Sequence, residues 1–220
     1  MFQTPMRVFA VAVTGLLAAS LTAAQASASG SDAAAGGFLG SVDVVVDGEQ
    51  VVRAPIAPCE AGGKPSNSSG TVRVGDVALY RGGTSACEVD DDDNAHAAVE
   101  GRVFKTDVLR EWGGPRIRAS SFSASCRTTG NGSSATMELR GIRGIDVPEE
   151  IPPNYTVTIP GRIEGAAPLA KVVVNELIAP TPPDGSMTVN AMRIELFPEG
   201  GGPNSGEIVV GAVSCDPYGG

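Results

Sequence analysis

The chain has 220 residues, with 16 lysines and arginines against 25 aspartates and glutamates, so its formal net charge at pH 7 is −9. This acidic balance argues against a nucleic-acid partner, because nucleic-acid binders neutralise phosphates with clustered basic side chains, and the sequence predicts no such cluster. It also disfavours anionic lipid and mainly favours solubility.

The first 28 residues have the pattern of a secretory signal peptide. Arg7 supplies one positive charge, an apolar run follows at residues 8–21, and the triplets at 24–26 and 26–28 both fit a small-x-small cleavage site. The apolar run is about 14 residues long, shorter than the roughly 20 residues of a transmembrane helix. We therefore predict a secreted protein without a transmembrane anchor, released or loosely associated with the cell wall; an uncleaved anchor is the alternative.

Residues 29–37 are alanine, serine and glycine with one aspartate, a composition with too little apolar surface to fold. They are expected to form a flexible lead-in. The remaining residues, 38–217, are expected to form a single β domain, because their number fits one domain.

The first half of this domain predicts short strands joined by turns. Asp47-Gly48 between β-branched runs predicts a hairpin, since a primed turn requires the positive φ that glycine tolerates. Pro55 and Pro58 are expected to end its second strand. We expect loops at 61–70 and 81–84, an ambiguous segment at 108–112, and strands at the following residues: 41–46, 50–53, 71–74, 76–80 and 97–104.

The second half alternates more regularly, apart from an extended proline-rich connector at 147–154. In the last strand, Ile208, Val210 and Ala212 are predicted on one face, with Val209 and Val213 opposite. An apolar strand of this kind is covered on both sides. Further strands are expected at 117–127, 135–140, 155–159, 170–178, 187–197 and 207–215.

About ten or more short strands with turn signals between them predict an all-β, antiparallel sandwich, with a β-barrel-like fold as the alternative. The four cysteines lie after the predicted cleavage site, and an even number in an oxidising compartment indicates two disulfides. Three connectivities are possible. We favour Cys59–Cys87 and Cys126–Cys215; zinc is disfavoured because no pair has C-x-x-C spacing.

Few residues suggest chemistry, and we expect no catalytic set and no cofactor. His96 is the single histidine, and no G-x-S-x-G motif accompanies it, so an exposed histidine is favoured over a catalytic base. Four acids in a row offer oxygen ligands for calcium but lack the spacing of the known calcium loop, so a solvated loop is favoured. They are Asp90, Asp91, Asp92 and Asp93.

Asn175 and Glu176 interrupt an apolar strand, where a charge must be paired or lie at an edge. The functional interpretation is a carboxylate in a cleft; the favoured one is a pair that braces the end of the strand. Trp112, with Tyr80 and Tyr155, could line a sugar or peptide surface, but scattered aromatics more often pack in the core.

From residue 117 onward, the chain contains IRASSFSASC, ELRGIRGIDVPEEIPPNYTVTIPG, VVVNELI, SMTVNAMRIELF and EIVVGAVSC. This series resembles the actinobacterial secreted proteins called choice-of-anchor P family proteins. The resemblance implies an extracellular or cell-surface β domain and carries over no catalytic residue. Many such proteins have a C-terminal sorting signal; here the chain stops five residues after Cys215, so covalent wall anchoring is not expected.

Three functions remain open from the sequence. The first is a secreted, non-enzymatic β-sandwich that binds a surface or a protein partner. The second is an extracellular hydrolase that uses carboxylates such as Glu176, which requires a second acid across a groove. The third is a structural protein that assembles with its own copies through edge strands.

Overall fold

The computed structural model describes residues 33–219, and within this range twelve strands form two antiparallel sheets. The predicted all-β sandwich is confirmed, and the alternative of one closed sheet is not what these residues form. The strands are β1 (Ala34–Val46), β2 (Glu49–Ile56), β3 (Cys59–Glu60), β4 (Ser66–Val74), β5 (Ala78–Val89), β6 (Ala95–Thr106), β7 (Ile117–Thr129), β8 (Gly132–Arg140), β9 (Tyr155–Ile159), β10 (Ala170–Ile178), β11 (Met187–Leu196) and β12 (Ser205–Asp216).

The larger sheet has the order β2-β1-β12-β11-β10-β9, with β3 also paired to β1, and the smaller sheet has the order β4-β5-β6-β7-β8. The core lies between the sheets. It is filled by side chains such as Leu39, Met192 and Ile208 from the larger sheet and Phe104 and Ile117 from the smaller one, all no more than 1% exposed.

The last strand, β12, is buried on both faces as predicted, but its facing changes along its length. Gly211 has a left-handed φ of 60°. Beyond it, Val213 and Cys215 belong to the same core as Ile208 and Val210, whereas Ala212 does not. The predicted assignment of Ala212 and Val213 was therefore wrong, because one left-handed residue reverses the alternation of the strand.

The first strand begins earlier than predicted. Residues 1–32, which include the predicted signal peptide at 1–28 and the first part of the predicted lead-in, lie outside the described residues. Ala34–Gly37 do not form a lead-in, because they already belong to β1. Gly36 and Gly37 pair with β12 on one side and with β3 on the other, and Ala35 is 4% exposed. Backbone pairing thus orders a stretch that has little side-chain surface of its own.

Three predicted interruptions in the first half were also wrong. The strand β2 continues through Pro55, which is tolerated because β2 lies at the edge of its sheet. Residues 66–70 of the predicted loop belong to β4, another edge strand, where polar side chains can face water. The predicted turn at 81–84 lies inside β5, where Gly82 has a φ of 83° and pairing with β6 resumes at Gly83.

Both predicted disulfides are confirmed. Cys59 pairs with Cys87 and Cys126 with Cys215, with Cα–Cα distances of 5.6 and 6.0 Å. The first joins β3 to β5 and the second joins β7 to β12, so each one ties the larger sheet to the smaller sheet.

The ambiguous segment at 108–112 contains a 3₁₀ turn at Arg110–Trp112. Within residues 33–219, no helix is both long enough and apolar enough to cross a membrane.

Candidate functional site

Glu176 is the predicted site residue with the most unusual environment. Asn175 has a φ of 51°, which reverses the alternation of β10, and Glu176 is 5% exposed. Its Oε2 accepts a hydrogen bond of 2.7 Å from Asn190 Nδ2, and its Oε1 lies 2.6 Å from a terminal guanidinium nitrogen of Arg193. The carboxylate is therefore paired with both neighbours, as a buried charge requires.

Arg193 connects this buried carboxylate to two exposed ones. Its guanidinium lies 3.7 Å from Glu195 and 3.6 Å from Glu207, in addition to its bonds with Glu176. The hydrogen bond with Glu176, together with these carboxylates, raises the pKa of Arg193 above its usual value. A general acid or base needs a carboxyl that can exchange a proton with substrate, whereas this one is held by an arginine. The cluster therefore braces β10 against β11.

Asn175 has a separate structural role. Its Nδ2 donates a 2.9 Å hydrogen bond to the carbonyl of Ile151, and its own carbonyl accepts one of 2.9 Å from the backbone N–H of Asn154. These bonds fasten the proline-rich connector to β10. Asn175 and Glu176 thus act on different neighbours rather than forming one site.

Asp90 caps the turn that contains the four acids. Its side chain accepts hydrogen bonds from the backbone N–H groups of Asn94 at 2.9 Å and Asp92 at 3.0 Å, and it pairs with Arg127. The hydrogen bond from the Asn94 backbone is the main reason that the pKa of Asp90 lies below its usual value. The four acids form a turn between β5 and β6, and the side chain of the first, Asp90, stabilises the backbone of that turn.

His96 lies on the outer face of the smaller sheet, half-buried, with its Nδ1 3.7 Å from Glu88. It lines a shallow depression of about 370 Å³ together with Asp90 and Arg127. Within residues 33–219, no three histidine, cysteine or acidic side chains are arranged to hold a metal ion, the acids of the turn included.

The candidate aromatic residues pack rather than form a surface. Trp112 contacts Phe197 edge-on, with ring centroids 6.2 Å apart. Tyr80 is 1% exposed, and its hydroxyl donates a 2.8 Å hydrogen bond to the carbonyl of Val209. Burial raises the pKa of Tyr80 far above its ordinary value. Tyr80 is therefore not available to stack on a ligand, and the half-buried Trp112 packs against the core.

The larger sheet carries a groove of about 690 Å³ that the sequence did not predict. Gly36, Ser214, Thr188 and Ile178 form one transverse row across β1, β12, β11 and β10. Three steps between strands span about 14 Å. Because the first three side chains in the row are small, they leave a depression beneath taller neighbours. Its apolar lining includes Phe38, Pro55, Pro58, Ile178, Pro180 and Met187.

The groove combines an apolar lining with a negative rim. Its charged lining residues are Glu60 and Asp216, and neither lysine nor arginine lines it. Ile178 is 48% exposed, which is high for a large aliphatic side chain at the end of a central strand. The groove arises where distant segments meet, such as Gly36 and Ser214, and this pairing can be recognised only once the register of β1 against β12 is known.

No protein-family model, curated protein or solved structure matches this chain. Function is therefore inferred from the groove and from the side chains around it. The residues singled out from the sequence are dispersed: Glu176 and Asn175 brace β10, His96 lies on the smaller sheet with Asp90 in the adjoining turn, and Trp112 packs against Phe197.

Proposed function

We propose that the protein is a secreted, non-enzymatic binding domain and that the groove on the larger sheet is its binding surface. The observation that carries this proposal is a concave apolar surface of about 690 Å³ in which Ile178 remains half exposed. Ligand sites are typically concave, mostly apolar and about 300–1,000 Å³ in volume, with a few polar groups that set orientation.

The state of Glu176 supports binding over hydrolysis. A carboxylate-dependent hydrolase needs two acids that face each other across a groove, about 5–10 Å apart. Arg193 instead occupies the space between Glu176 and the neighbouring acids Glu195 and Glu207. The carboxylate most isolated from water is thus the one most completely paired, which suits a structural role.

The ligand that fits the groove is an extended segment of a partner protein that carries apolar side chains and at least one lysine or arginine. Apolar side chains would pack against Phe38 and Ile178, and a cationic group would be drawn to the rim at Glu60 and Asp216. An open surface about 14 Å across suits an extended peptide better than a small enclosed molecule.

Secretion and family are part of the same proposal. Two disulfides between the sheets suit an oxidising compartment, since cytosolic proteins seldom keep such bonds. The signal-peptide pattern at residues 1–28 supports export. The resemblance to choice-of-anchor P family proteins, which look like extracellular or surface β domains, is consistent with a binding role.

The test uses selection from a displayed library of random peptides against the folded, oxidised protein. We expect enrichment of peptides that combine apolar and basic residues. The substitution Ile178→Lys should reduce their affinity at least tenfold, because it places a cation in the apolar lining, and Glu60→Gln should weaken the preference for basic peptides.

Ile163→Lys is the matched control. Ile163 is 75% exposed and does not line the groove, so the same exchange there should leave peptide binding unchanged. The proposal is wrong if no peptide is enriched, or if Ile178→Lys and Ile163→Lys have equal effects.

A further inference from the structure

The outer face of the smaller sheet concentrates positive charge at one end. The sequence led us to expect no basic cluster, and that expectation was wrong because the cluster is assembled from distant segments. The residues next to the basic ones along the strands, such as Val74, Tyr80 and Phe104, are buried in the core, so the basic side chains face outward. Six of the chain's 16 lysines and arginines form this basic face: Arg73, Arg81, Arg102, Lys105, Arg118 and Arg143.

The backbone pairing places like charges directly opposite one another. Lys105 pairs with Arg118, and Arg118 forms an isolated bridge with Arg143. Like charges in such positions destabilise a sheet. Lys105 is partly neutralised by Asp107 at 2.6 Å. The five arginines of the basic face have no acidic partner within 4.0 Å among the described residues. Five arginines without an acidic partner on one face of an acidic chain suit an external anion.

We propose that the basic face binds a linear polyol-phosphate polymer, joined by phosphodiester bonds, of the cell envelope. Arg73, Lys105, Arg118 and Arg143 follow one another across the sheet, with Leu79 of β5 between the first two. Four steps between strands span about 19 Å. Such a row can contact several phosphates of an extended chain, and the arginine fork matches phosphate oxygens in pairs.

A second feature places a phosphate beside this row. Arg73, Arg81 and Arg102 line an open depression of about 370 Å³ whose floor includes Leu79 and Val103. A phosphate there would meet three guanidinium groups, while the polymer backbone continues along the row. The depression is shallow and open, as recognition of a repeating polymer chain requires.

The same face offers poor support for nucleic acid. Single-stranded nucleic acids are held by aromatic side chains on which bases stack, in addition to basic residues. The aromatic residues of β5, β6 and β7 are Tyr80, Phe104 and Phe122, and all three are buried in the core. A polymer with phosphates and no bases therefore fits this face better.

Binding should be local and sensitive to salt. The net charge of −9 repels a polyanion at long range, whereas the basic face attracts it within about one Debye length, roughly 10 Å at 0.1 M salt. Weak, reversible retention at an anionic envelope follows from this balance.

The experiment measures binding of synthetic poly(glycerol phosphate) to the oxidised protein at about 0.05 and 0.2 M salt. The triple variant Arg81→Gln/Arg102→Gln/Arg118→Gln should bind at least tenfold more weakly and with a shallower dependence on salt. Its thermal midpoint should be equal to or above that of the parent, because like-charge repulsion is relieved. Loss of binding through misfolding would instead lower the midpoint.

The triple variant Arg53→Gln/Arg110→Gln/Arg162→Gln is the control, because it removes the same charge from exposed positions away from the basic face. We expect its binding to change less than twofold. Polygalacturonate, single-stranded DNA and duplex DNA are the competing ligands, and each should bind more weakly than poly(glycerol phosphate). Equal losses in the two triple variants, tighter binding of either DNA, or no binding of poly(glycerol phosphate) would overturn the proposal.

Discussion

Replacing the two partners of the Glu176–Arg193 pair one at a time should have unequal effects on stability. Glu176 is 5% exposed, whereas the Arg193 side chain is 23% exposed and also lies near Glu195 and Glu207. Arg193→Met leaves a buried carboxylate with Asn190 as its remaining partner. Glu176→Met leaves an arginine that can still reach water and two other carboxylates.

The magnitudes follow from this asymmetry. Breaking a buried ion pair by removing one partner costs about 3–5 kcal/mol of unfolding free energy. We expect about 3 kcal/mol for Arg193→Met, at the low end, because the guanidinium is near the surface. For Glu176→Met we expect about 1–2 kcal/mol, largely from the unsatisfied Asn190 amide. The double variant should cost less than Arg193→Met alone, since apolar residues of similar volume can replace a buried pair at little cost.

The assay is urea-induced unfolding of the oxidised protein at pH 7, with a double-mutant cycle to isolate the pair. A coupling energy of at least about 1 kcal/mol should appear. Additive effects, or a larger cost for Glu176→Met than for Arg193→Met, would refute the structural role assigned to Glu176.

Three further variants test the core. Burial raises the pKa of Tyr80, so its hydroxyl stays protonated in the folded protein when the unfolded chain begins to ionise. The contribution of Tyr80 to the unfolding free energy is therefore complete below the ordinary tyrosine pKa of about 10 and falls by about 1.4 kcal/mol per pH unit above it. Tyr80→Phe should flatten this decline when unfolding is measured between about pH 8 and 11. Cys126→Ala/Cys215→Ala should lower the unfolding free energy by about 2–5 kcal/mol, because the disulfide closes a separation of 89 residues, for which loop entropy alone predicts about 4.6 kcal/mol. A loss below about 1 kcal/mol would contradict this reasoning. Gly101→Ala should cost about 3 kcal/mol or more, because the new Cβ would lie 1.9 Å from Phe122, and an unchanged thermal midpoint would contradict this packing.

The features that the sequence predicted well depend on local chemistry. Asp47-Gly48 marks the turn between β1 and β2, and the strand predicted at residues 155–159 coincides with β9. The disulfide pairing was also predicted, although spacing alone left three connectivities. The hairpin is local because its turn requires positive φ, and Asp47 and Gly48 both adopt it.

The features that were missed depend on long-range pairing. Gly211 reverses the facing of β12, and an alternating pattern contains no signal of where such a reversal falls. The two glycines at 81–84 predict a turn, yet β5 is held there by neighbours on both sides. Local composition therefore gave the wrong answer wherever two partner strands order an intrinsically flexible stretch.

At the candidate site, too, local features were predicted from the sequence and features that depend on long-range strand pairing were not. The pattern around Glu176 correctly indicated that a charge within an apolar strand must be paired, but it could not name Arg193 and Asn190 as partners. These residues lie on the neighbouring strand β11, so the register of β10 against β11 decides the outcome. The groove and the basic face likewise depend on register rather than on any one segment.

The groove and the basic face lie on the outer surfaces of different sheets, with the core between them. Packed sheets are about 10 Å apart, so a polymer bound to the smaller sheet leaves the groove open on the other side. Sites separated in this way should act independently. Ile178→Lys should therefore leave poly(glycerol phosphate) binding unchanged, and the Arg81/Arg102/Arg118 triple variant should leave peptide binding unchanged. Reciprocal losses in both assays would instead show that the two ligands compete for one surface.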